Sequence, residues 1–121
     1  MNLQMTLLIG AGGFLGTILR YFATTAVLSF TGRQLAGTLL VNMLGSFAIG
    51  LVYALGTDKW DDQTIKLLTI GVLGGFTTYS AFSAETFFLL KDSQWLMAFG
   101  YVMLMTITCV GATSLGYFIG K

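Results

Sequence analysis

The sequence predicts an all-α membrane protein with four transmembrane helices, and two observations support this fold class. Of the 121 residues, 55% are hydrophobic and 9% are charged, and the mean hydropathy is +0.82. Globular proteins carry about 25% charged residues, so a soluble domain of this size could not cover its surface with polar groups. The charges also fall between four long uncharged runs, each near the roughly 20 residues that a helix needs to cross the hydrocarbon core.

These runs define four predicted spans in a single domain of residues 1–121 and leave no room for a soluble domain. The first run could be mistaken for a signal peptide, but no basic segment precedes it, no cleavage site is obvious and three more runs follow. Short polar segments such as Thr31 to Arg33 and Lys91 to Ser93 separate the spans. The predicted spans cover residues 3–28, 34–57, 65–90 and 94–120.

The residues on which most enzymes and metal clusters depend are scarce. The chain has no histidine and one cysteine, Cys109, which lies within the predicted fourth span. This excludes an intramolecular disulfide framework and a cysteine-based metal cluster. No nucleophile, base and orienting group can be assembled in or near the membrane, so we expect a protein that is not an enzyme. We also expect no nucleic-acid partner.

The basic residues give no preferred orientation in the bilayer. With four spans, both termini and the central loop share one side, and lysine and arginine normally concentrate on the cytoplasmic side. Each side here has three, so we expect the chain to insert in both orientations and to pair as an antiparallel, dual-topology homodimer. The three on one side are Lys59, Lys66 and Lys121, and those on the other are Arg33 and Lys91, with Arg20 as the third if it lies at the far end of the first span.

Small residues at helical spacing recur along the predicted spans. They would allow two helices to approach closely, either between subunits or within one subunit, and the sequence leaves both possibilities open. The pairs are Gly12 with Gly16, Ser46 with Gly50, and Gly116 with Gly120.

The third span contains the stretch GVLGGFTTYSAFSAE, residues 71–85, which predicts a break near Gly74 and Gly75. Lipid cannot hydrogen-bond freed backbone groups, so such a break survives only where protein or a wet cavity surrounds it. Two half-helices meeting at the membrane midplane offer carbonyls to a cation and a helix N-terminus to an anion. The alternative is a glycine kink whose hydroxyls bond back to the helix.

Polar side chains next to this break favour a path for anions. Thr38 and Asn42 are four residues apart and share one face of the second span. In the third span, two aromatic residues three apart stand beside a stripe of hydroxyls. These are Tyr79 and Phe82, with Ser80 and Ser83. Amide, hydroxyl and aromatic-edge donors hold an anion weakly enough for it to leave again, which a fixed cation would not.

Three blocks of this sequence resemble the signature blocks of the CrcB/Fluc family of small fluoride channels. They are GGFLGTILRY (12–21), GTLLVNMLGSFAIG (37–50) and GGFTTYSAFSAE (74–85). The resemblance implies a passive fluoride-selective channel in a microbial inner membrane, by which cells expel fluoride. It also implies a dual-topology dimer with two antiparallel pores.

The resemblance carries over to individual residues. The family's pore asparagine falls on Asn42, with Thr38 one turn before it, and its two pore phenylalanines fall on Tyr79 and Phe82. Tyr79 is a departure, because its hydroxyl must be satisfied or wet. A central sodium ion would be held by the backbone carbonyls of both subunits at the breaks. These carbonyls match Gly74 and Thr77; in the fourth span, Tyr101 and Thr113 match the pore-lining residues, whereas Thr106 and Thr108 are candidates only.

Two charged residues have two possible roles each. Arg20 matches a family arginine and is either an interfacial anchor or a charge that draws anions toward a vestibule. Glu85 closes the third-span block, and pairing or capping is its expected role. The alternative function is a proton-coupled exporter of small anions or molecules that uses Glu85, because ionisable residues inside membranes are commonly functional.

Overall fold

The computed structural model describes residues 2–121, and in this range it contains helices and no strand. Four helical segments are long and apolar enough to cross a membrane, which confirms the predicted fold class. The third of them, Asp62–Lys91, consists of several shorter elements. In chain order the elements are α1 (Leu3–Thr31), α2 (Gln34–Gly56), α3 (Asp62–Lys66), a π-helical segment (Leu67–Val72), α4 (Leu73–Phe76), α5 (Tyr79–Lys91) and α6 (Trp95–Gly120).

Helix α1 has a defined cap at each end. At its start, the side chain of Asn2 accepts a hydrogen bond from the backbone N–H of Met5 at 2.9 Å. At its end, Gly32 adopts a φ of 68°, and its N–H donates to the carbonyl of Leu28 at 2.8 Å. This left-handed conformation favours glycine and stops the helix. The helix therefore runs three residues beyond the predicted span and, at 29 residues, is about 43 Å long.

The loop before the third segment is closed by a capped turn. The carboxylate of Asp61 accepts a hydrogen bond from the backbone N–H of Thr64 at 3.0 Å and so caps α3. Hydrogen bonding from the Thr64 side chain and backbone lowers the pKa of the Asp61 carboxyl, because these bonds favour its charged form. An exposed ion pair between Lys66 and Asp62 adds little stability, because solvent screens it.

The backbone of the third segment leaves helical geometry at Thr77 and Thr78, three residues after the predicted position. Gly74 and Gly75 themselves belong to α4. Thr77 has φ −95° and ψ 160°, and Thr78 has φ −151° and ψ 113°, both extended. Side chains stabilise both ends of this interruption. The hydroxyl of Thr77 donates to the carbonyl of Leu73 at 2.9 Å, and the hydroxyl of Thr78 accepts from the N–H of Ala81 at 3.1 Å.

Glycines pack the helices against one another within the single chain. A methyl group at Gly50 would collide with the carbonyl of Thr113, and one at Gly116 would collide with that of Phe47, so α2 and α6 lie in backbone contact. Gly16 of α1 meets the carbonyl of Val72 in the same way. These small residues therefore serve contacts inside one subunit.

We expect Gly116→Ala to lower the melting temperature of the detergent-purified protein, because the added methyl meets backbone atoms that cannot move aside. The loss of stability should be about 1–3 kcal/mol, as for overpacked cores. Gly111→Ala is the matched control on the same helix, since nothing lies within 4 Å of its Cβ position. Equal melting temperatures for the two variants would show that the α2–α6 contact is not this close.

Candidate functional site

The amide of Asn42 lies against the interruption between α4 and α5. Its Oδ1 accepts a hydrogen bond from the backbone N–H of Thr78 at 2.8 Å, and its Nδ2 donates to the carbonyl of the same residue at 3.0 Å. Its Nδ2 also contacts Sδ of Met105 at 3.5 Å. Asn42 is buried, and it satisfies both backbone groups of one extended residue as a neighbouring β-strand would.

The carboxylate of Glu85 joins three helices a short way along α5. Its Oε2 accepts a hydrogen bond from the hydroxyl of Thr38 at 2.8 Å, and its Oε1 accepts one from the hydroxyl of Tyr101 at 2.8 Å. Thr38 is 3% exposed and Tyr101 6% exposed, so both donors are withdrawn from solvent. Glu85 therefore links α5 to α2 and α6 through charge-assisted hydrogen bonds.

Three aromatic rings form a continuous row beside Glu85. The ring of Phe82 meets that of Tyr79 at a centroid distance of 5.4 Å and that of Tyr101 at 5.2 Å, with interplanar angles of 77° and 64°. Both contacts are edge-to-face, the arrangement in which a positive ring edge meets a negative ring face. Phe82 is buried, whereas Tyr79 is 79% exposed and leaves the row open at one end.

Two further contacts hold the turn before the interruption. The Nε of Arg20 donates to the carbonyl of Gly75 at 2.9 Å, which ties α1 to α4. A Cβ at Gly45 of α2 would collide with the Cγ2 methyl of Thr77. The α4 turn is therefore held between α1 and α2.

An open cavity of about 350 Å³ lies beside the interruption, and a second one of about 250 Å³ adjoins it. The two share Ser46, Cys109 and Val110. Over residues 2–121, no lysine, arginine or acidic residue lines either cavity, and no group of three potential metal-binding side chains occurs. Apolar surface, hydroxyls and one amide thus line the two cavities. The first cavity is also lined by Asn42, Gly45, Ile49, Thr69, Leu73, Gly74, Thr77, Thr78, Tyr79, Phe82, Met105 and Thr106, and the second by Thr113 and Ser114.

The structure brings most of the predicted pore residues to one region. Asn42, Tyr79 and Phe82 line the first cavity together with the predicted sodium-binding residues Gly74 and Thr77. Thr38 and Tyr101 meet at Glu85, and the ring of Tyr101 continues the aromatic row.

The remaining predicted residues lie elsewhere. Ser80 and Ser83 are exposed on α5 and line neither cavity, and Thr113 lines the second cavity alone among the predicted residues. The hydroxyl of Thr106 donates to its own helix at the carbonyl of Val102, and that of Thr108 donates to the carbonyl of Leu104. Both hydroxyls are therefore engaged by their own backbone, although Thr106 lines the first cavity.

Sequence reasoning missed Met105 and Thr78. Met105 is 5% exposed and contacts the Asn42 amide, and Thr78 is the residue that Asn42 binds. A signal for Met105 was present, because Ala98, Tyr101 and Met105 recur at the three- and four-residue spacing of a buried helix face. The signal for Thr78 was weaker, because threonine is one of several residues that commonly occupy the N-cap position of a helix.

An all-helical chain with four candidate spans, an interrupted third segment and a weakly polar cavity beside that interruption defines a small integral membrane protein of the channel or transporter class. The family described as "CrcB-like protein, Camphor Resistance (CrcB)" matches residues 7–117 of this chain. The chain belongs to this CrcB family.

Curated relatives match over nearly their whole length. One from Alteromonas mediterranea, named fluoride-specific ion channel FluC, is 43% identical over 112 residues, which are 90% of this chain and 88% of the relative. A second of that name, from Shewanella frigidimarina, is 43% identical over 91% of this chain and 90% of its own length. A third, from Gloeothece citriformis, is 40% identical over 95% of both chains.

We expect Tyr101→Phe to lower the free energy of unfolding by about 1.5–3 kcal/mol, because it removes one hydrogen bond to a charged acceptor and keeps the ring. Thermal unfolding of the detergent-purified protein measures the loss. Tyr53→Phe is the control, since the Tyr53 side chain makes no hydrogen bond among residues 2–121 and the residue is about half exposed. Equal losses for the two variants would show that the Glu85 contact contributes nothing.

Proposed function

We propose that this protein is a passive, fluoride-selective ion channel of the cell inner membrane, through which fluoride leaves the cell. The observation that carries the proposal is the match to curated fluoride-specific channels at about 40% identity over nine-tenths of this chain. The family match over residues 7–117 includes parts of all four helical segments and the loops between them.

The chemistry of the cavities supports an anion path. An anion that sheds water in apolar surroundings needs compensating donors, and a full positive charge would hold it too tightly for conduction. The hydroxyls of Ser46, Tyr79 and Thr113, which donate to no group among residues 2–121, and the edges of the Tyr79 and Phe82 rings provide weak donors. No lysine or arginine lines the cavities over the described residues. We assign the fluoride path to this side of α2, α5 and α6.

The proposed assembly is an antiparallel dual-topology homodimer with two pores. Arg20 bonds the Gly75 carbonyl inside the bundle, so the basic residues near the ends of the spans number three on one side and two on the other. This small difference supports insertion in both orientations. The cavity is open and Tyr79 beside it is largely exposed, so a second copy would enclose the proposed path. The interruption at Thr77 and Thr78 is proposed to lie near the membrane midplane, where a partner shields it from lipid.

A sodium ion at the dimer interface is part of the proposal. The carbonyl oxygens of Gly74 and Thr77 accept no hydrogen bond from a donor among residues 2–121, and both residues line the first cavity. Carbonyl oxygens are ligands for hard monovalent cations, so this donor set fits sodium. The ion would supply positive charge between the two subunits without a basic side chain.

The contacts of the two charged residues favour positioning roles. The bond from Arg20 to the Gly75 carbonyl supports a role in holding the α4 turn more than one in attracting anions. The two donors that Glu85 accepts, Thr38 and Tyr101, support a role in joining helices at the end of the path.

We expect liposomes containing the purified protein to release fluoride rapidly when a potassium ionophore is present and to retain chloride. Phe82→Ile and Asn42→Ala should reduce the rate by at least about tenfold, because they alter the cavity beside the interruption. Phe87→Ile is the matched control, since Phe87 lies on the same helix, is exposed and lines neither cavity. A fluoride electrode follows the release.

Efflux that needs no ionophore, follows a pH gradient and is lost in Glu85→Gln would contradict the channel and indicate a proton-coupled exporter. Rates for Phe82→Ile equal to those for Phe87→Ile would remove the aromatic row from the path.

Dual topology predicts that each loop faces both sides of the membrane in about equal amounts. In a Cys109→Ser background, Thr57→Cys and Gln94→Cys place one thiol on opposite sides of the chain without changing its charge. An impermeant maleimide applied to intact cells should label about half of each variant. Complete labelling of one variant and none of the other would establish a single orientation.

A further inference from the structure

We propose that Asn42 and Thr78 are positioning residues for a monovalent cation, because their side chains take up the two backbone N–H groups that would otherwise occupy the carbonyls of Gly74 and Thr77. The inference rests on the cation site of the proposed function. It changes the role of Asn42 from a donor in the anion path to a residue that acts through the backbone.

The first of these N–H groups is that of Thr78, whose helical acceptor would be the carbonyl of Gly74. In an α-helix each carbonyl accepts a hydrogen bond from the N–H four residues later, which for Gly74 is that of Thr78. This N–H instead donates to Oδ1 of Asn42 at 2.8 Å, and Nδ2 of Asn42 holds the Thr78 carbonyl at 3.0 Å. The two bonds together fix Thr78 in the extended conformation, so α4 cannot continue through it.

The second of these N–H groups is that of Ala81, whose helical acceptor would be the carbonyl of Thr77. The N–H four residues later belongs to Ala81, and it donates to Oγ1 of Thr78 at 3.1 Å as the cap of α5. The carbonyls on either side of Gly74 are, by contrast, occupied. That of Leu73 accepts from the N–H of Thr77 at 3.0 Å, and that of Gly75 accepts from Arg20 at 2.9 Å.

The side chains of Asn42 and Thr78 therefore leave the carbonyls of Gly74 and Thr77 without a hydrogen bond. Both residues line the same cavity, so the oxygens belong to one region of the site. Two carbonyls from one chain are fewer than the six or so oxygens that hard cations usually take, and an antiparallel second copy would double the set. Of the two N–H bonds of the Asn42 amide, one donates to the Thr78 carbonyl and the other faces a weak acceptor, the sulfur of Met105 at 3.5 Å.

The test measures cation binding directly as a sodium-dependent rise in melting temperature. The detergent-purified protein is heated at a series of sodium chloride concentrations, with N-methylglucamine chloride holding the ionic strength constant. A ligand that binds only the folded state raises the melting temperature, and the half-saturating concentration reports its affinity. We expect Asn42→Ala and Thr78→Ala to weaken sodium binding roughly 10- to 100-fold, as loss of a ligand-orienting partner typically does.

Two matched variants separate this role from general damage. Thr78→Ser keeps the capping hydroxyl and should retain the native sodium response, which keeps the test decisive if Asn42→Ala does not fold. Phe82→Ile should impair fluoride efflux and still respond to sodium, because it leaves both carbonyls untouched.

Native sodium affinity in Asn42→Ala and Thr78→Ala would overturn the inference, and so would equal responses of Thr78→Ala and Thr78→Ser. A native protein that melts at the same temperature in sodium and in N-methylglucamine would also overturn it. That last result would not contradict the proposed fluoride channel, because the liposome measurement tests fluoride efflux independently of sodium binding.

Discussion

The need to satisfy the backbone at Thr77 and Thr78 is the constraint on which the rest of the structure depends. Two extended residues interrupt the helical hydrogen bonds within a membrane-spanning segment, where lipid offers no replacement partners. The protein satisfies Thr78 with an amide from α2 and caps the next helix with the Thr78 hydroxyl. It holds the preceding turn with Arg20 of α1. The interruption thus requires both neighbouring helices to lie close.

Close helix packing is what allows so short a side chain as Asn42 to reach the backbone of another segment. Three residues after it, Gly45 lies so near Thr77 that a Cβ would collide with the threonine methyl. Gly50, further along α2, lies in contact with the backbone of α6 in the same way. Each glycine costs helix propensity of about 1 kcal/mol, and the contacts it permits offset that loss.

Beyond the interruption, a hydrogen-bonded carboxylate and a row of aromatic rings join α2, α5 and α6. Glu85 accepts hydrogen bonds from both Thr38 and Tyr101, and the ring of Tyr101 makes an edge-to-face contact with the ring of Phe82. Thr38, Tyr101 and Phe82 are buried, whereas Tyr79 at the other end of the row is exposed. On the proposed path, a small anion would meet the edges of rings that their neighbours hold in place, which lowers the reorganisation needed at each step. The proposed second copy would pack over the exposed Tyr79.

The sequence by itself determined the class of membrane protein, the four spans and the family, because hydropathy, charge spacing and contiguous motifs are local properties of the chain. It also indicated that Asn42, Tyr79 and Phe82 belong near the interruption. It placed that interruption at the glycines, since it could not show that Thr77 and Thr78 would find other partners. Only the tertiary structure decided which carbonyls stay open and which hydroxyls are engaged. Those outcomes depend on hydrogen bonds between residues that are far apart in the sequence. Asn42 and Thr78 are separated by 36 positions, and Thr38 and Glu85 by 47. Such bonds follow from the relative register of packed helices, which no local pattern encodes.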